Sequence, residues 1–425
     1  MAAGDERGQH VYPDAALRAG IGLAGHRHSG SVTCENDPID CSLFKLLFDF
    51  HTFVYMITAR EQEILDLIRD NPLISQKSLA DQLSISRSAV AGHVMHLTRK
   101  GLIRGRGYVL AEAPFVALIG GANLDVHGIP QHDLRMHDSN PGSVRTSPGG
   151  VARNVAENLA RLGIDARLIA PLGRDHAGDM IENQGREAGI DMQYVYRIDD
   201  AQTPCYVSVL DNNRDMLVGI SDMTILETLD TARLQRHESL LKSAAVIVAD
   251  TNLTEGALAW LTSTMSGHAS APPLMVDTVS VAKAVRIRPY LAGVHTLKPS
   301  LAEAEAIAGI SASTESRLPG LAAWFHERGV ERLFVSLGAR GVFYSTADGC
   351  GLARAPAPDA LQNANGAGDA LLAGLTFGWL NDWPLVDSLD FALAAAGLTL
   401  SHPATINPDM SLNAVQRFQE HRHVG

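Results

Sequence analysis

Cysteine is scarce in this chain: four in 425 residues, at Cys34, Cys41, Cys205 and Cys350. That excludes a disulfide-built scaffold and fits a reducing compartment. Long apolar runs are missing as well. A membrane span needs roughly 18 apolar residues, and the nearest approach, Phe44 to Met56, is broken by Lys45, Asp49 and His51. Residues 1–20 carry Asp5, Glu6 and Arg7 and no continuous apolar core, so they do not read as a signal peptide. No Walker sequence occurs, which excludes a P-loop kinase. Positive charge is in deficit: 35 Lys and Arg face 47 Asp and Glu, a net of −12. What is present is an apolar share of 46%, enough to exclude a wholly disordered chain. A cytoplasmic protein without a membrane partner is expected.

The charge is unevenly spread. Residues 1–55 carry a net of −3, residues 56–113 a net of +2, and residues 114–425 a net of −11. An acidic body behind a small basic segment is the footprint of a modular chain, in which only the small segment suits nucleic acid. Residues 1–55 show no sustained periodicity, and His26, His28, Cys34 and Cys41 match no zinc spacing, so a disordered extension is expected there. At Met56 the text changes. Thr58-Ala-Arg-Glu61 is a capping box leading into Ile64, Leu65, Leu67 and Ile68. Three short helices are predicted, one from Thr58 to Asn71, one capped by Ser75 and one from Arg87 to Lys100, followed by a basic hairpin from Leu102 to Leu110. This is the pattern of a winged helix-turn-helix over residues 56–113, whose third helix enters the major groove of DNA. Arg87, Ser88 and Arg99 would lie on its outer face, and Arg104 and Arg106 of the wing would hold phosphates. A protein-interaction module of the same shape is the alternative reading.

From Pro114 onward, apolar runs alternate with helical patterns. Phe115–Gly120, Arg167–Pro171, Ala244–Asp250, Leu274–Val279, His295–Lys298 and Leu333–Leu337 are the expected strands. Such alternation predicts an α/β domain, a mostly parallel sheet with helices on both faces. Cys205–Leu210 and Met216–Ile220, joined by a polar turn, predict a hairpin projecting from it.

The chemistry-bearing text is concentrated in a few glycine-rich segments. Gly366-Ala367-Gly368-Asp369 opens an apolar helix, so the N–H groups of the turn face outward at a positive helix end and can hold an anion. A carboxylate just past that turn can accept a proton from an attacking hydroxyl. A helix-capping turn with a solvated Asp has the same text. Asn123 and Asp125 follow the first strand, at the carboxyl edge where open α/β sheets bind ligands. Asp125 could bridge two vicinal hydroxyls there, or cap a loop. Gly149-Gly150 ahead of a helix, with Asn154 one turn in, permits close approach of a ligand. Ser336, Gly338 and Gly341 lie between two late strands where nucleotide phosphates could pass.

Together these segments resemble the ribokinase-like (PfkB) carbohydrate kinase family over essentially all of residues 114–425. The family's double glycine with its following Asn, and its D-T-x-G-A-G-D helix start, occur in the family's order. The resemblance implies the ribokinase-like fold with a small β lid, and Asp369 as catalytic base with the amides of Gly366, Ala367 and Gly368 as anion hole. It implies Asn123, Asp125, Gly149, Gly150 and Asn154 for the substrate, and Ser336, Gly338, Gly341 and Asn407 for ATP. It implies ATP and Mg²⁺ as cofactors, the metal organised through Glu303, and a homodimer contact through the Cys205–Ile220 hairpin, the family's lid. Within the family, Ser139-Asn-Pro-Gly142, Ser221-Asp-Met223, Val248-Ala-Asp-Thr-Asn252, His295-Thr-Leu-Lys-Pro299 and Asn407-Pro-Asp-Met-Ser411 resemble the pseudouridine-kinase group. Two departures stand out. Asn363 and Ala364 replace the leading Asp and Thr, which weakens a monovalent-cation site, and Ser300 replaces the Asn of N-x-x-E, which alters Mg²⁺ handling. The expected function is ATP-dependent phosphorylation of the 5′-hydroxyl of pseudouridine or a related nucleoside or sugar, with a DNA-binding module in front. A ribokinase-type sugar kinase and a transcription regulator sensing such a ligand are the alternatives.

Overall fold

The structure, a computed structural model, describes residues 57–103, 114–211, 216–265, 271–354, 361–363 and 365–420. The chain divides into two units, residues 1–111 and 112–425.

In the first unit, helices Ala59–Asp70, Gln76–Leu83 and Arg87–Arg99 each begin at a side-chain cap. Thr58 Oγ1 accepts the Glu61 N–H at 3.2 Å while the Glu61 carboxylate accepts the Thr58 N–H at 2.8 Å. Ser84, at φ 52°, makes the tight turn between the second and third helices. Ile64, Ile68, Leu79, Val90, Leu97 and Ile103 close one core. The buried Glu61 carboxylate also meets Lys100 Nζ at 3.0 Å, pinning the first helix to the end of the third. Arg87, Ser88 and Arg99 are exposed on the third helix. Arg104 and Arg106, with the rest of the wing, and residues 1–55 lie outside the described residues.

The second unit is built on β1 (Phe115–Ile119), β2 (Asn123–Pro130), β3 (Gly142–Gly149), β4 (Asp165–Ile169), β5 (Pro171–Gly173), β6 (Tyr196–Ile198), β7 (Cys205–Leu210), β8 (Met216–Asp222), β9 (Val246–Asp250), β10 (Leu274–Asp277), β11 (Thr296–Lys298), β12 (Arg332–Ser336), β13 (Val342–Thr346) and β14 (Gly349–Ala353). Eight of them form a sheet in the order β14-β13-β12-β11-β10-β9-β1-β4. Neighbours from β12 to β4 run parallel, and β13 and β14 add an antiparallel edge. β1 shows why the runs are apolar throughout. Phe115, Ala117 and Ile119 enter one core, and Val116 and Leu118 enter the other, so both faces of the strand are covered. Helices Glu255–Met265, Leu301–Ala308 and Leu318–His326 cover the first face; Val151–Arg161, Ala367–Leu380 and Leu385–Leu400 cover the second. Among the described residues no helix is long and apolar enough to cross a membrane.

Two expectations are corrected. The strand expected over Arg167–Pro171 runs instead over Asp165–Ile169, and Pro171, which has no N–H for the ladder, opens the separate β5. Asn123 and Asp125 stand just past the carboxyl end of β1, as expected, but within a strand. They begin β2, which runs into a four-stranded lid of order β3-β2-β7-β8, where a two-stranded hairpin was expected.

Candidate active site

Three neighbouring parallel strands end in charge along one row. Register pairs Asp250 of β9 with Asp277 of β10, and Asp277 with Lys298 of β11. Lys298 Nζ lies 2.6 Å from Asp277 Oδ2, with the two side chains 8% and 5% exposed. Beside this row stands the start of helix Ala367–Leu380. Its cap, Gly366, has φ 81°, and a Cβ there would lie 2.0 Å from the Thr405 carbonyl oxygen, so the turn accepts only glycine. Gly366 supplies no cap side chain, so the first-turn N–H groups receive no side-chain cap hydrogen bond. A Cβ on Gly368 would lie 2.8 Å from Lys298 Nζ, which places the ammonium directly against the turn.

Asp369 is buried in that first turn, and Asn154 Nδ2 donates to its Oδ2 at 2.8 Å. Burial and the charges of Asp277 and Asp250 push the Asp369 carboxyl up to about 7, against the pull of Lys298 and of the Asn154 hydrogen bond. Asn154 arrives on helix Val151–Arg161, whose start is tied to the sheet by Asp250. The Asp250 carboxylate accepts the N–H groups of Gly121 at 2.8 Å, Ala152 at 3.2 Å and Asn252 at 3.0 Å. Gly150, at φ 97°, lets the two glycine-rich segments meet, since a Cβ on it would lie 2.4 Å from the Gly121 oxygen. On β2, Asn123 Nδ2 donates to Asp125 Oδ1 at 2.6 Å. Gly149 on the facing strand leaves room for that carboxylate, and burial raises the Asp125 carboxyl. Asn123, Asp125, Gly149, Gly150, Asn154 and Asp369 are therefore brought together. The site thus holds two carboxylates, Asp125 and Asp369, and burial raises both.

The second half of the site lies at the ends of β11 and β12. Ser336 N–H donates to the Pro299 oxygen at 2.9 Å, and Gly338 and Gly341 bound a short 3₁₀ turn after β12. Ser300 in place of Asn turns the metal motif into a capping box. Glu303 Oε2 accepts the Ser300 N–H at 2.8 Å and the Thr278 hydroxyl at 2.6 Å, and Ser300 Oγ accepts the Glu303 N–H at 3.4 Å. Glu303 Oε2 is thus taken up by the Ser300 N–H and the Thr278 hydroxyl. Among the described residues no three metal-capable side chains gather. Asn407 is turned inward: Nδ2 donates to the Leu398 oxygen at 3.0 Å and Oδ1 accepts the Asp409 N–H at 2.9 Å. Its side chain shapes the loop behind Gly366. Asn363 similarly donates to the Pro403 oxygen at 3.1 Å and accepts the Asn365 N–H at 2.9 Å. Asp250, Asp277 and Lys298 were not singled out as site residues in the sequence, although Asp250 and Asp277 each follow an apolar run and Lys298 closes the expected strand His295–Lys298.

The pfkB family carbohydrate kinase model matches residues 113–412, and a winged helix-turn-helix DNA-binding model matches residues 57–104. The chain is 40% identical over 303 residues to the pseudouridine kinase of Escherichia coli (strain K12), covering 71% of this chain and 96% of that one. It is 38% identical over 353 residues to the uncharacterized sugar kinase YeiI of the same organism, covering 83% and 96%. The ribokinase of Arabidopsis thaliana, solved with ribose and ATP, superposes with a TM-score of 0.67 over 73% of this chain and 99% of that one, at 18% identity. That last likeness is one of fold.

Proposed function

This chain belongs to the pfkB family of carbohydrate kinases, and on that premise we propose that it transfers the γ-phosphoryl group of ATP to the 5′-hydroxyl of pseudouridine or a close nucleoside relative. The observation that carries the reading is the Asn154–Asp369 hydrogen bond, which joins the hydroxyl-binding segment to the base beside the anion turn. In this reading Asp125 and Asn123 hold the ribose hydroxyls and Asp369 takes the 5′-hydroxyl proton. The oxygen then forms its bond to the γ-phosphorus as the bond to the β–γ bridging oxygen breaks, and ADP leaves. The Gly366–Gly368 amides and Lys298 meet the charge on the transferring group. ATP lies along Ser336, Gly338 and Gly341. Mg²⁺, held through Glu303 and water, would neutralise phosphate charge.

The likeness to a pseudouridine kinase supports the nucleoside. Steady-state kinetics on pseudouridine, uridine and ribose are expected to rank pseudouridine first. Asp125→Ala should raise the nucleoside KM by roughly 10- to 100-fold with little change in kcat, the equivalent of one hydrogen bond to a charged group. Turnover of free ribose equal to that of pseudouridine would overturn the nucleoside assignment and leave the family membership standing.

We also propose that the helix-turn-helix binds DNA through Arg87, Ser88 and Arg99, with Arg104 and Arg106 on phosphates. Binding of a labelled duplex should weaken as salt rises, and Arg99→Ala should cost about 1–3 kcal/mol if it reads a base. Salt-independent or undetectable binding by the full chain would defeat this.

The lid supports a homodimer. Register places Val144, Val207, Val218 and Ile220 on one face of it, opposite the face of Asp125, and Val144 and Ile220 are 72% and 67% exposed. Ile220→Asp is expected to shift the species seen by light scattering from dimer to monomer.

A further inference from the structure

We infer that Arg153 is a positioning residue for phosphoryl transfer: its guanidinium fixes the Asn154 amide in the orientation that presents N–H, and not a carbonyl oxygen, to Asp369. The inference rests on Asp369 being the base. A side-chain amide has two ends of similar shape and opposite polarity. With Nδ2 turned toward Asp369 the contact is a 2.8 Å hydrogen bond; turned over, it would set an amide oxygen against a carboxylate. On the other side, Arg153 Nη1 donates to Asn154 Oδ1 at 3.3 Å. A guanidinium only donates and a carboxylate only accepts, so Asn154, held between them, has one consistent orientation.

Arg153 is itself held firmly. It is 3% exposed, its Nη2 pairs with Glu157, and Glu157 Oε1 is held by Arg161 Nε at 2.8 Å and Nη2 at 2.6 Å. Arg161 Nη1 reaches the Pro408 oxygen at 2.7 Å, and Asn158 Nδ2 donates to the Asn154 carbonyl at 2.9 Å. Residues 153, 157 and 161 recur every fourth position, so the chain of charges follows one helix stripe. Stability alone does not account for this arrangement. A cation in the first turn opposes the helix dipole, and a buried Arg–Glu–Arg set is commonly no more stable than apolar residues of the same volume. Its charge also reaches Asp125.

The test compares wild type with Arg153→Met, which leaves Glu157 paired with Arg161, and with Arg153→Met/Glu157→Gln, which removes both buried charges of the Arg153–Glu157 pair. The readout is the pH profile of kcat/KM for the nucleoside, which reports the free enzyme. Without Arg153 the amide is free to turn, and Asp369 loses the hydrogen bond that favours its charged form. Burial and the charges of Asp277 and Asp250 then face Lys298 alone. The acid limb of the profile is expected to move to higher pH and the plateau to fall roughly 10- to 100-fold, with the KM for ATP unchanged. A double variant with the wild-type melting temperature, activity within about twofold of wild type and an unmoved limb would overturn the inference. Loss of folding in both variants would assign the triad to stability and overturn it as well. An active Asp369→Asn would instead remove the base assignment, so the two failures are distinguishable.

Discussion

Asp369→Asn is expected to lower kcat by roughly 10²–10⁴, the range for loss of a general base, while leaving the melting temperature near that of wild type. Asn keeps the shape and can still accept from Asn154 through its oxygen, but it cannot take a proton. Phosphoryl transfer relies mainly on positioning and on charge stabilisation, so the anion turn and Lys298 should leave residual turnover. In the wild type the Asp369 carboxyl is pushed up to about 7 by burial and by Asp277. A raised carboxyl is protonated, and idle as a base, below that value. Activity should therefore climb as pH rises through about 7, and the climb should vanish in the variant. Full activity in Asp369→Asn would remove the mechanism.

Lys298→Met is the other substitution with a large expected effect, and it acts on fold and chemistry together. The ammonium meets Asp277 at 2.6 Å with both groups nearly inaccessible to water. Removing it strands a buried carboxylate, which typically costs about 3–5 kcal/mol. Asp277→Asn in the same chain should recover most of that loss, as measured by urea unfolding. It should not recover activity. Lys298 Nζ stands against the Gly368 turn, where under the proposed function its positive charge would stabilise the transferring phosphoryl group, and loss of such a group costs roughly 10²–10³ in kcat. Recovery of stability and of rate in the double variant would show that Lys298 serves only to neutralise Asp277.

What could be read in the sequence followed the range of the interactions involved. The caps at Thr58 and Ser75, the glycine turn at Gly366 and the pairing of Gly150 with a helix start are local, and they were legible. So was the doubly covered sheet, because apolar runs such as Phe115–Ile119 have no polar face to give to water. β2 was not legible: Asn123 to Pro130 contains Gly128, Pro130 and two polar side chains near its start, the composition of a loop. It is a strand because β3, the next strand along the chain, and the more distant β7 pair with it from either side. Asp250 and Asp277 were each visible after an apolar run and Lys298 at the end of the expected strand His295–Lys298, but only strand register places them in one row. Ser300-Leu-Ala-Glu303 could have been read as a capping box; read against the metal motif, it showed only a missing Asn. Asn407 illustrates the reverse case. Its motif pointed to ATP, and its side chain is engaged by Leu398 and Asp409.

The position of Asn123 and Asp125 at the root of β2 has a thermodynamic consequence. The strand that carries Asn123 and Asp125, the residues proposed to hold the sugar hydroxyls, continues as an inner strand of the lid, hydrogen-bonded on both edges. A strand so paired transmits displacement along its length, so the lid cannot rock without swinging the Asp125 carboxylate. Occupancy of the sugar site and the attitude of the lid are thus two ends of one lever. Whatever free energy a ligand gains at Asp125 by choosing one lid attitude is returned, in equal measure, as a bias of the lid toward that attitude. Under the proposed function, reciprocity of this kind would make enclosure of the nucleoside a property of the backbone, without a separate sensing residue.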